Sequence, residues 1–206
     1  MAKELCDSET RKNLMRAMAG EALTCARYAA AEKSCRTAQL FVLANLFKFT
    51  SAQEKTHGEV FAGHLKKCGC RHVDIEGGFP AETSDEPLEL LKHSAEHEAK
   101  ESREVYPAFA ETARNEGLAD IARDFENIAG IEDLHGDRFR RFGELMEQGR
   151  LFRSETEEEW LCLNCGYIHR GTEAPSPCPV CAQPQGWYIR LAESSWMLRV
   201  KGEPQC

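Results

Sequence analysis

Two stretches of this sequence, Glu54-Lys-Thr-His57 and Glu132-Asp-Leu-His135, decide the fold, because each puts an acid and an imidazole on the apolar side of a helical pattern. Apolar residues at steps of three and four continue the same stripe on both sides of each pair, and this spacing keeps them on one helix face. Around the first pair they are Leu40, Leu43, Phe47, Phe61 and Leu65; around the second they are Leu118, Ile121, Phe125, Ile128, Phe139 and Phe142.

Two further helical stripes carry acids at the same depth. Glu21 interrupts one of them, between Leu14 and Tyr28, while Glu98 and Glu101 interrupt the other, which begins at Leu91. The middles of all four helices meet in an antiparallel four-helix bundle. The pattern therefore predicts that five carboxylates and two imidazoles converge on one small volume.

Such a cluster is costly to bury unless cations compensate its charge. Two divalent iron ions against five carboxylates leave a formal charge of about −1, because the charge of a bound metal dominates its surroundings. A single Glu-x-x-His is more often a solvated helix face, but agreement among four helices matches the di-iron or di-manganese carboxylate bundle. The predicted ligands are Glu21, Glu54, His57, Glu98, Glu101, Glu132 and His135. The remaining histidines, His64, His72, His93, His97 and His169, are assigned no site.

The C-terminal part of the chain contains two Cys-x-x-Cys knuckles. Cys162 and Cys165 form the first, and Cys178 and Cys181 the second; this spacing is typical of a tetrahedral thiolate metal site that stabilises a very small fold. Such a site holds either zinc or iron. Attachment to a bundle that needs single electrons favours iron. The other cysteines are interpreted as incidental thiols: Cys6, Cys25, Cys35, Cys68, Cys70 and Cys206.

Length and composition set the domain organisation. The 206 residues allow a bundle over 1–150 and a small domain over 158–206, joined by a linker over 151–157, and the charged run from Ser154 to Glu159 is interpreted as a solvated linker. Breaker residues between Gly69 and Pro87 predict a long crossover between the bundle halves, and Pro107 predicts a kink. A net charge of −8 argues against a nucleic-acid partner. We expect a cytoplasmic protein, because the sequence has neither a membrane span nor a signal peptide.

The same motifs resemble the rubrerythrin family over nearly the whole chain. The resemblance rests on Gly20-Glu21, Ala26-Arg27-Tyr28, the two Glu-x-x-His stretches, Glu98-Ala-Lys-Glu101 before Tyr106-Pro107, and a tail that begins Trp160-Leu-Cys-Leu-Asn-Cys-Gly-Tyr. It implies an all-α, ferritin-like four-helix bundle with a small C-terminal rubredoxin-like domain that holds a metal on four cysteines. It also implies reduction of hydrogen peroxide to water by an iron enzyme with one di-iron and one Fe(Cys)4 centre.

By this resemblance, Glu54 and Glu132 would bridge two irons, with Glu21 and Glu98 as terminal ligands and His135 on the second iron. Glu101 and His57 would be alternate ligands of one mobile iron. Tyr28 and Tyr106 would lie beside the site as hydrogen-bond donors.

The resemblance implies partners as well. Electrons would come from a reductase that uses NAD(P)H, directly or through a separate rubredoxin, and the chain would form a homodimer in which one small domain approaches the partner's bundle. Two alternatives remain on the same bundle. One is a ferroxidase-type iron-storage protein, and the other is a peroxide sensor.

Overall fold

The structure is a computed structural model that describes residues 5–69 and 71–195. Four rods form the bundle: α1 (Glu9–Thr37), α2 (Phe41–Lys67), α3 (Pro87–Lys100) continued by α4 (Tyr106–Asn115), and α5 (Ala119–Glu147). The first two rods pack mainly on each other, and the third packs on the fourth. The predicted all-α four-helix bundle is confirmed. None of the described helices meets the length and hydropathy that a bilayer-spanning segment requires.

The turn between α1 and α2 is tight. Gln39 adopts a left-handed conformation (φ 59°), and the amide of Leu40 donates to the carbonyl of Cys35 (2.9 Å). This geometry closes the last turn of α1 and satisfies a carbonyl that the helix end would leave unpaired. The turn therefore brings α2 back along α1 with only three residues between the helices.

The third rod is irregular where Pro107 predicts a kink. A π-helical segment (Glu101–Val105) separates α3 from α4, and the amide of Tyr106 donates to the carbonyl of Glu101. Proline has no amide hydrogen and its ring collides with the carbonyl one turn earlier. The wider π turn accommodates that ring, so the irregularity begins at Glu101, one of the predicted ligands.

The crossover is also observed. Residues 71–86 form neither helix nor strand and connect the two halves of the bundle. Within this stretch Glu82 accepts hydrogen bonds from the amides of Thr83 and Ser84 and from His93 Nδ1 (3.0 Å) on α3. The crossover is therefore fixed to the rod that follows it.

The small domain is a three-stranded antiparallel sheet in the order β2-β1-β3, built from β1 (Arg153–Cys162), β2 (Ile168–Glu173) and β3 (Tyr188–Arg190). The prediction that Ser154–Glu159 is a linker is wrong, because these residues lie in β1. Their charged side chains are exposed or half-buried, and pairing with β2 satisfies part of their backbone. The domain limits of 1–150 and 158–206 stay predictions.

The sheet domain is docked on the bundle at the α1–α2 turn. The rings of Phe41 and Trp187 stack with their centroids 4.5 Å apart, and Ile189 joins the apolar cluster that contains Val42. Gly186 allows this approach, because a Cβ atom there would lie 1.7 Å from the carbonyl oxygen of Gln39. The contact therefore depends on the absence of a side chain at one position.

Replacing Gly186 with alanine should push the small domain away from the bundle. Overpacking of this kind costs about 1–3 kcal/mol, and we expect a lower free energy of unfolding together with altered Trp187 fluorescence. The control is Gly63→Ala in α2, where an added Cβ meets no atom within 4 Å and should stabilise the helix by up to about 1 kcal/mol. Equal stability of the Gly186→Ala variant and the unmodified protein would contradict this account of the docking.

Candidate metal centres

The predicted acids and imidazoles of the bundle meet at its centre. Two groups of ligand atoms, each lying within 4.8 Å of one another, form there from buried side chains. The first consists of Glu21, Glu54, His57 and Glu132, and the second of Glu54, Glu98, Glu132 and His135. The structure therefore brings six of the seven predicted residues into two adjoining groups that share two carboxylates.

The shared carboxylates each face both histidines. Glu54 places Oε2 at 3.0 Å from His57 Nδ1 and Oε1 at 3.0 Å from His135 Nδ1. Glu132 does the same, with Oε1 at 2.8 Å from His57 Nδ1 and Oε2 at 2.8 Å from His135 Nδ1. Each shared carboxylate thus directs one oxygen into each group, which is the arrangement that two bridging ligands need.

These separations fit metal coordination. Ligand bonds of about 2.1 Å to nitrogen or oxygen, meeting at right angles, separate neighbouring ligand atoms by about 3.0 Å. The observed distances of 2.8–3.0 Å agree with this value. Both oxygens of Glu132 and one oxygen of Glu54 are buried without a hydrogen-bond partner. Buried orphan oxygens are costly, so the donor set fits a pair of cations.

The orientation of His135 is fixed from outside the cluster. Its Nε2–H donates to Gln53 Oε1 (3.0 Å), so the lone pair of the neutral ring lies on Nδ1, which faces the carboxylates. A hydrogen bond on the far nitrogen is the usual way in which a protein sets the tautomer of a metal-binding histidine. The rings of His57 and His135 lie nearly parallel, with centroids 5.7 Å apart.

Each outer carboxylate is held by a tyrosine. The hydroxyl of Tyr28 donates to Glu98 Oε1, and the hydroxyl of Tyr106 donates to Glu21 Oε1. Burial and the charge of the neighbouring carboxylates raise the pKa of both tyrosines well above the ordinary value, which keeps the hydroxyls protonated as donors. The predicted placement of the two tyrosines beside the cluster is observed.

Without metal the cluster holds protons instead. Burial and then the charge of Glu54 raise the pKa of Glu21 and of Glu98 well above the ordinary value. Burial opposes ionisation of Glu54 and His57 too, but the close contacts of 2.8–3.0 Å between the imidazoles and the carboxylates outweigh it: they lower the pKa of Glu54 to about 2 and raise that of His57 to about 9. Protons and metal cations therefore compensate the same buried charge.

Two glycines that sequence analysis did not single out allow the helices to approach at this level. A Cβ on Gly58 would lie 3.3 Å from Glu21 Cβ, and one on Gly136 would lie 3.2 Å from Glu98 Cβ. Each glycine directly follows the histidine of a Glu-x-x-His stretch. The fuller signal was thus Glu-x-x-His-Gly, which occurs twice, and each glycine packs against the outer acid of a neighbouring helix.

Glu101, the seventh predicted residue, joins a different group. Its Oε2 lies 3.3 Å from Nδ1 of His97, and these two residues form a third group of possible ligands with Glu98. Sequence analysis assigned His97 no site because successive side chains on a helix are rotated by about 100°, so His97 and Glu98 were expected to point in different directions. The signal it missed is the four-residue spacing to Glu101, which places both side chains on one side of the helix.

The four cysteines of the small domain also come together. Sγ atoms of Cys162 and Cys181 are 3.8 Å apart, as are those of Cys165 and Cys178. Thiolates bound tetrahedrally at about 2.3 Å would be separated by about 3.8 Å, so the four sulfurs are already arranged for one metal ion. Cys165 is exposed and the other three are more buried.

The other cysteines within the described residues take no part in these groups. Cys25 and Cys35 lie in the bundle, and the thiol of Cys6 donates to the carbonyl of Cys68 (2.8 Å). Cys70 and Cys206, which we interpreted as incidental thiols, lie outside the described residues.

Comparison with known proteins agrees with both centres. The rubrerythrin family profile matches residues 12–143, and the profile of the rubrerythrin rubredoxin-like domain matches residues 160–188. Rubrerythrin of Clostridium perfringens is 35% identical over 93% of this chain and 99% of its own length, and that of Nitratidesulfovibrio vulgaris is 36% identical over 94% and 100%. Among solved structures, fully reduced, all-ferrous nigerythrin superposes with a TM-score of 0.60 at 27% identity, covering 89% of this chain and 90% of its own.

Replacing Glu132 with alanine should empty the bundle site, because it removes one oxygen from each of the two groups. We expect the loss of about two metal ions per chain by elemental analysis, with the visible absorption of an Fe(Cys)4 centre retained. The neighbouring Asp133→Ala variant is the control, since Asp133 is exposed and pairs with Arg103. Full metal content in the Glu132→Ala protein would contradict the proposed ligand role.

The metal-free protein should lose stability between pH 6.5 and pH 9. Over this range the native state keeps protons that the unfolded chain releases, because burial raises the pKa of Glu21 and Glu98 and carboxylate contacts raise that of His57 to about 9. Stability falls with pH wherever the native state binds more protons. Denaturant unfolding at pH 6.5 and 8.5 measures the change.

The matched variant for this experiment is Glu98→Gln, whose amide cannot ionise. It should be more stable than the unmodified metal-free protein at pH 8.5 and should show a shallower loss between the two pH values. A metal-free protein that gains stability as pH rises would show that this charge assignment is incorrect.

Proposed function

Since the chain belongs to the rubrerythrin family, with a di-iron carboxylate site and a four-cysteine rubredoxin-like iron site, we propose that it is a non-haem di-iron peroxidase. It reduces hydrogen peroxide to water, and the electrons pass from an external reductase through the Fe(Cys)4 centre to the bundle. Each turnover joins one peroxide, two electrons and two protons to give two waters.

The observation that carries this proposal is that the two oxygens of each shared carboxylate face two different imidazoles. Glu54 and Glu132 direct one oxygen to His57 and one to His135, which suits two metals held side by side. Two irons held there would supply both electrons of peroxide reduction at one place and would stabilise charge on both separating oxygens. The thiolate site on the same chain favours electron import over iron storage.

We assign the ligands accordingly. Glu54 and Glu132 would each hold both metals, Glu21 and Glu98 would each hold one, and His57 and His135 would each hold one. Glu101 is the alternate ligand on the His57 side. Its oxygen Oε2 lies toward His97, and it is absent from the four-residue group around His57. This separation of Glu101 from His57 supports our assignment of the two as alternate ligands, with His57 as the ligand when Glu101 is turned away.

The surrounding side chains control water and protons. The rings of Phe47 and Phe139 pack against Tyr28, while those of Phe61 and Phe125 pack against Tyr106; all four phenylalanines are fully buried. They exclude bulk water from the shared carboxylates. The two tyrosine hydroxyls are the nearest protonated donors to the outer acids, so we assign them the role of holding protons beside the reacting oxygens.

Electrons enter at the exposed edge of the small domain. Cys165 is exposed, as are the side chains of Val180 and Ile168. An apolar edge beside an accessible sulfur suits transient contact with a donor, either an NAD(P)H-dependent reductase or a separate rubredoxin. The proposal includes a cytoplasmic homodimer, in which the partner's small domain approaches this bundle.

Anaerobic stopped-flow tests the activity. The protein is reduced, mixed with hydrogen peroxide, and followed through the return of the Fe(Cys)4 visible bands. We expect a recovery rate that rises with peroxide concentration, and repeated turnover when reductant is in excess. A recovery rate that does not depend on peroxide would exclude the peroxidase.

Two controls separate the alternatives. Glu132→Ala should keep the visible bands but lose the peroxide-dependent phase, whereas Asp133→Ala should keep both. A storage protein would instead retain many irons per chain after oxidation, and a sensor would react once without turnover in the presence of reductant.

A further inference from the structure

A third group of ligand atoms lies beside the two that form the bundle centre. It consists of His97 and Glu98 on α3 and Glu101 at the start of the π-helical segment. His97 and Glu101 have been brought to the same side of the rod by their four-residue spacing. Their facing atoms, Nδ1 and Oε2, are 3.3 Å apart.

All three side chains have a buried polar atom without a hydrogen-bond partner. These atoms are Nδ1 of His97, Oε2 of Glu98 and Oε2 of Glu101. Glu98 is fully buried, and Glu101 is more than nine-tenths buried. Although 3.3 Å is short enough for a hydrogen bond, the geometry between His97 and Glu101 does not form one. It does match two ligands of one ion, which at bonds of about 2.1 Å are about 3.0–3.4 Å apart.

The chemistry of the group selects a cation. Two carboxylates and one imidazole suit divalent transition ions better than Mg²⁺ or Ca²⁺, which prefer oxygen ligands alone. The guanidinium of Arg27 is a like charge that acts on both His97 and Glu101. Its contact with Glu82 in the crossover, at 3.9 Å, compensates only part of that charge, so Arg27 weakens cation binding at the group.

The group borders α1 and the crossover. A Cβ on Gly20 would lie 3.7 Å from Glu101 Oε1 and 4.0 Å from the ring of Phe79. His97 is less deeply buried than Glu98, so the three ligands extend outward from the centre of the bundle.

We propose that His97, Glu98 and Glu101 form an accessory site for a divalent transition metal ion, distinct from the two positions between His57 and His135. It shares Glu98 and Glu101 with the residues proposed as di-iron ligands, and His97 is the ligand that belongs to it alone. The site binds more weakly than the pair, since it has three protein ligands and no bridging carboxylate from a facing helix.

Cobalt(II) is a suitable probe, because it can be counted by equilibrium dialysis and located by anomalous diffraction. The full chain, titrated without oxygen, should bind one ion at the four cysteines, two at the bundle centre and one more, weaker ion. Crystals grown with excess cobalt should show an anomalous peak about 2.1 Å from His97 Nδ1, separate from the two central peaks.

The matched variants are His97→Gln and His93→Gln. Both replace a histidine of α3, but His93 contacts Glu82 and belongs to none of the three groups. His97→Gln should lower the affinity for the fourth, weakest cobalt ion at least about tenfold, as loss of a metal-site group commonly does. The two central ions should stay bound. His93→Gln should bind all of them unchanged.

Two results would overturn the proposal. One is saturation of the unmodified chain at three ions with no anomalous peak near His97. The other is an unchanged last affinity in His97→Gln, in which case His97 serves only to hold Glu101. Neither result depends on peroxide turnover, so failure here is distinguishable from failure of the peroxidase proposal.

Discussion

Compensation of buried negative charge is the constraint on which the rest of this structure depends. Five carboxyl groups lie at the centre of a bundle whose other inward residues are mostly apolar or aromatic. In the metal-free chain, burial raises the pKa of Glu21, Glu98 and Glu101, and contact with carboxylates raises the pKa of both central histidines. Binding two divalent ions must therefore release several protons, which couples metal content, stability and pH in one equilibrium.

The two halves of the bundle solve this constraint in the same way. In each half a Glu-x-x-His-Gly stretch supplies a shared acid, an imidazole and a glycine. The outer acid of the neighbouring helix packs against that glycine, where there is no side chain. Gly58 faces Glu21 and Gly136 faces Glu98, while Tyr106 and Tyr28 hold those same two acids. Because each glycine controls how closely a backbone approaches, it places an outer acid within reach of the shared pair without itself contacting the reacting atoms.

The parts of the fold that could be predicted from sequence are those with a local periodic signal. Acids on apolar stripes allowed the bundle centre to be predicted, and two Cys-x-x-Cys knuckles allowed the thiolate site to be predicted. The charged run from Ser154 to Glu159 was misread, because composition reports where side chains lie and says little about backbone pairing. The docking of Trp187 on Phe41 joins residues 146 positions apart in the chain, and nothing local to either marks it. His97 was missed because its direction was compared with that of its neighbour Glu98 and not with that of Glu101, four residues further along.

The position of the docking contact bears on the proposed path of electrons to the bundle. Phe41 begins α2, and Glu54 lies 13 residues further along the same helix, a rise of about 20 Å. The small domain of a chain is thus held at one end of its own bundle, while the shared carboxylates lie at the middle. Gly186 and the Phe41–Trp187 stack fix that placement. A shorter path for electrons to the shared carboxylates would therefore need the four-cysteine site of another molecule. A second copy of the chain is the simplest source, and this separation is the physical reason to favour the proposed homodimer over transfer within one chain.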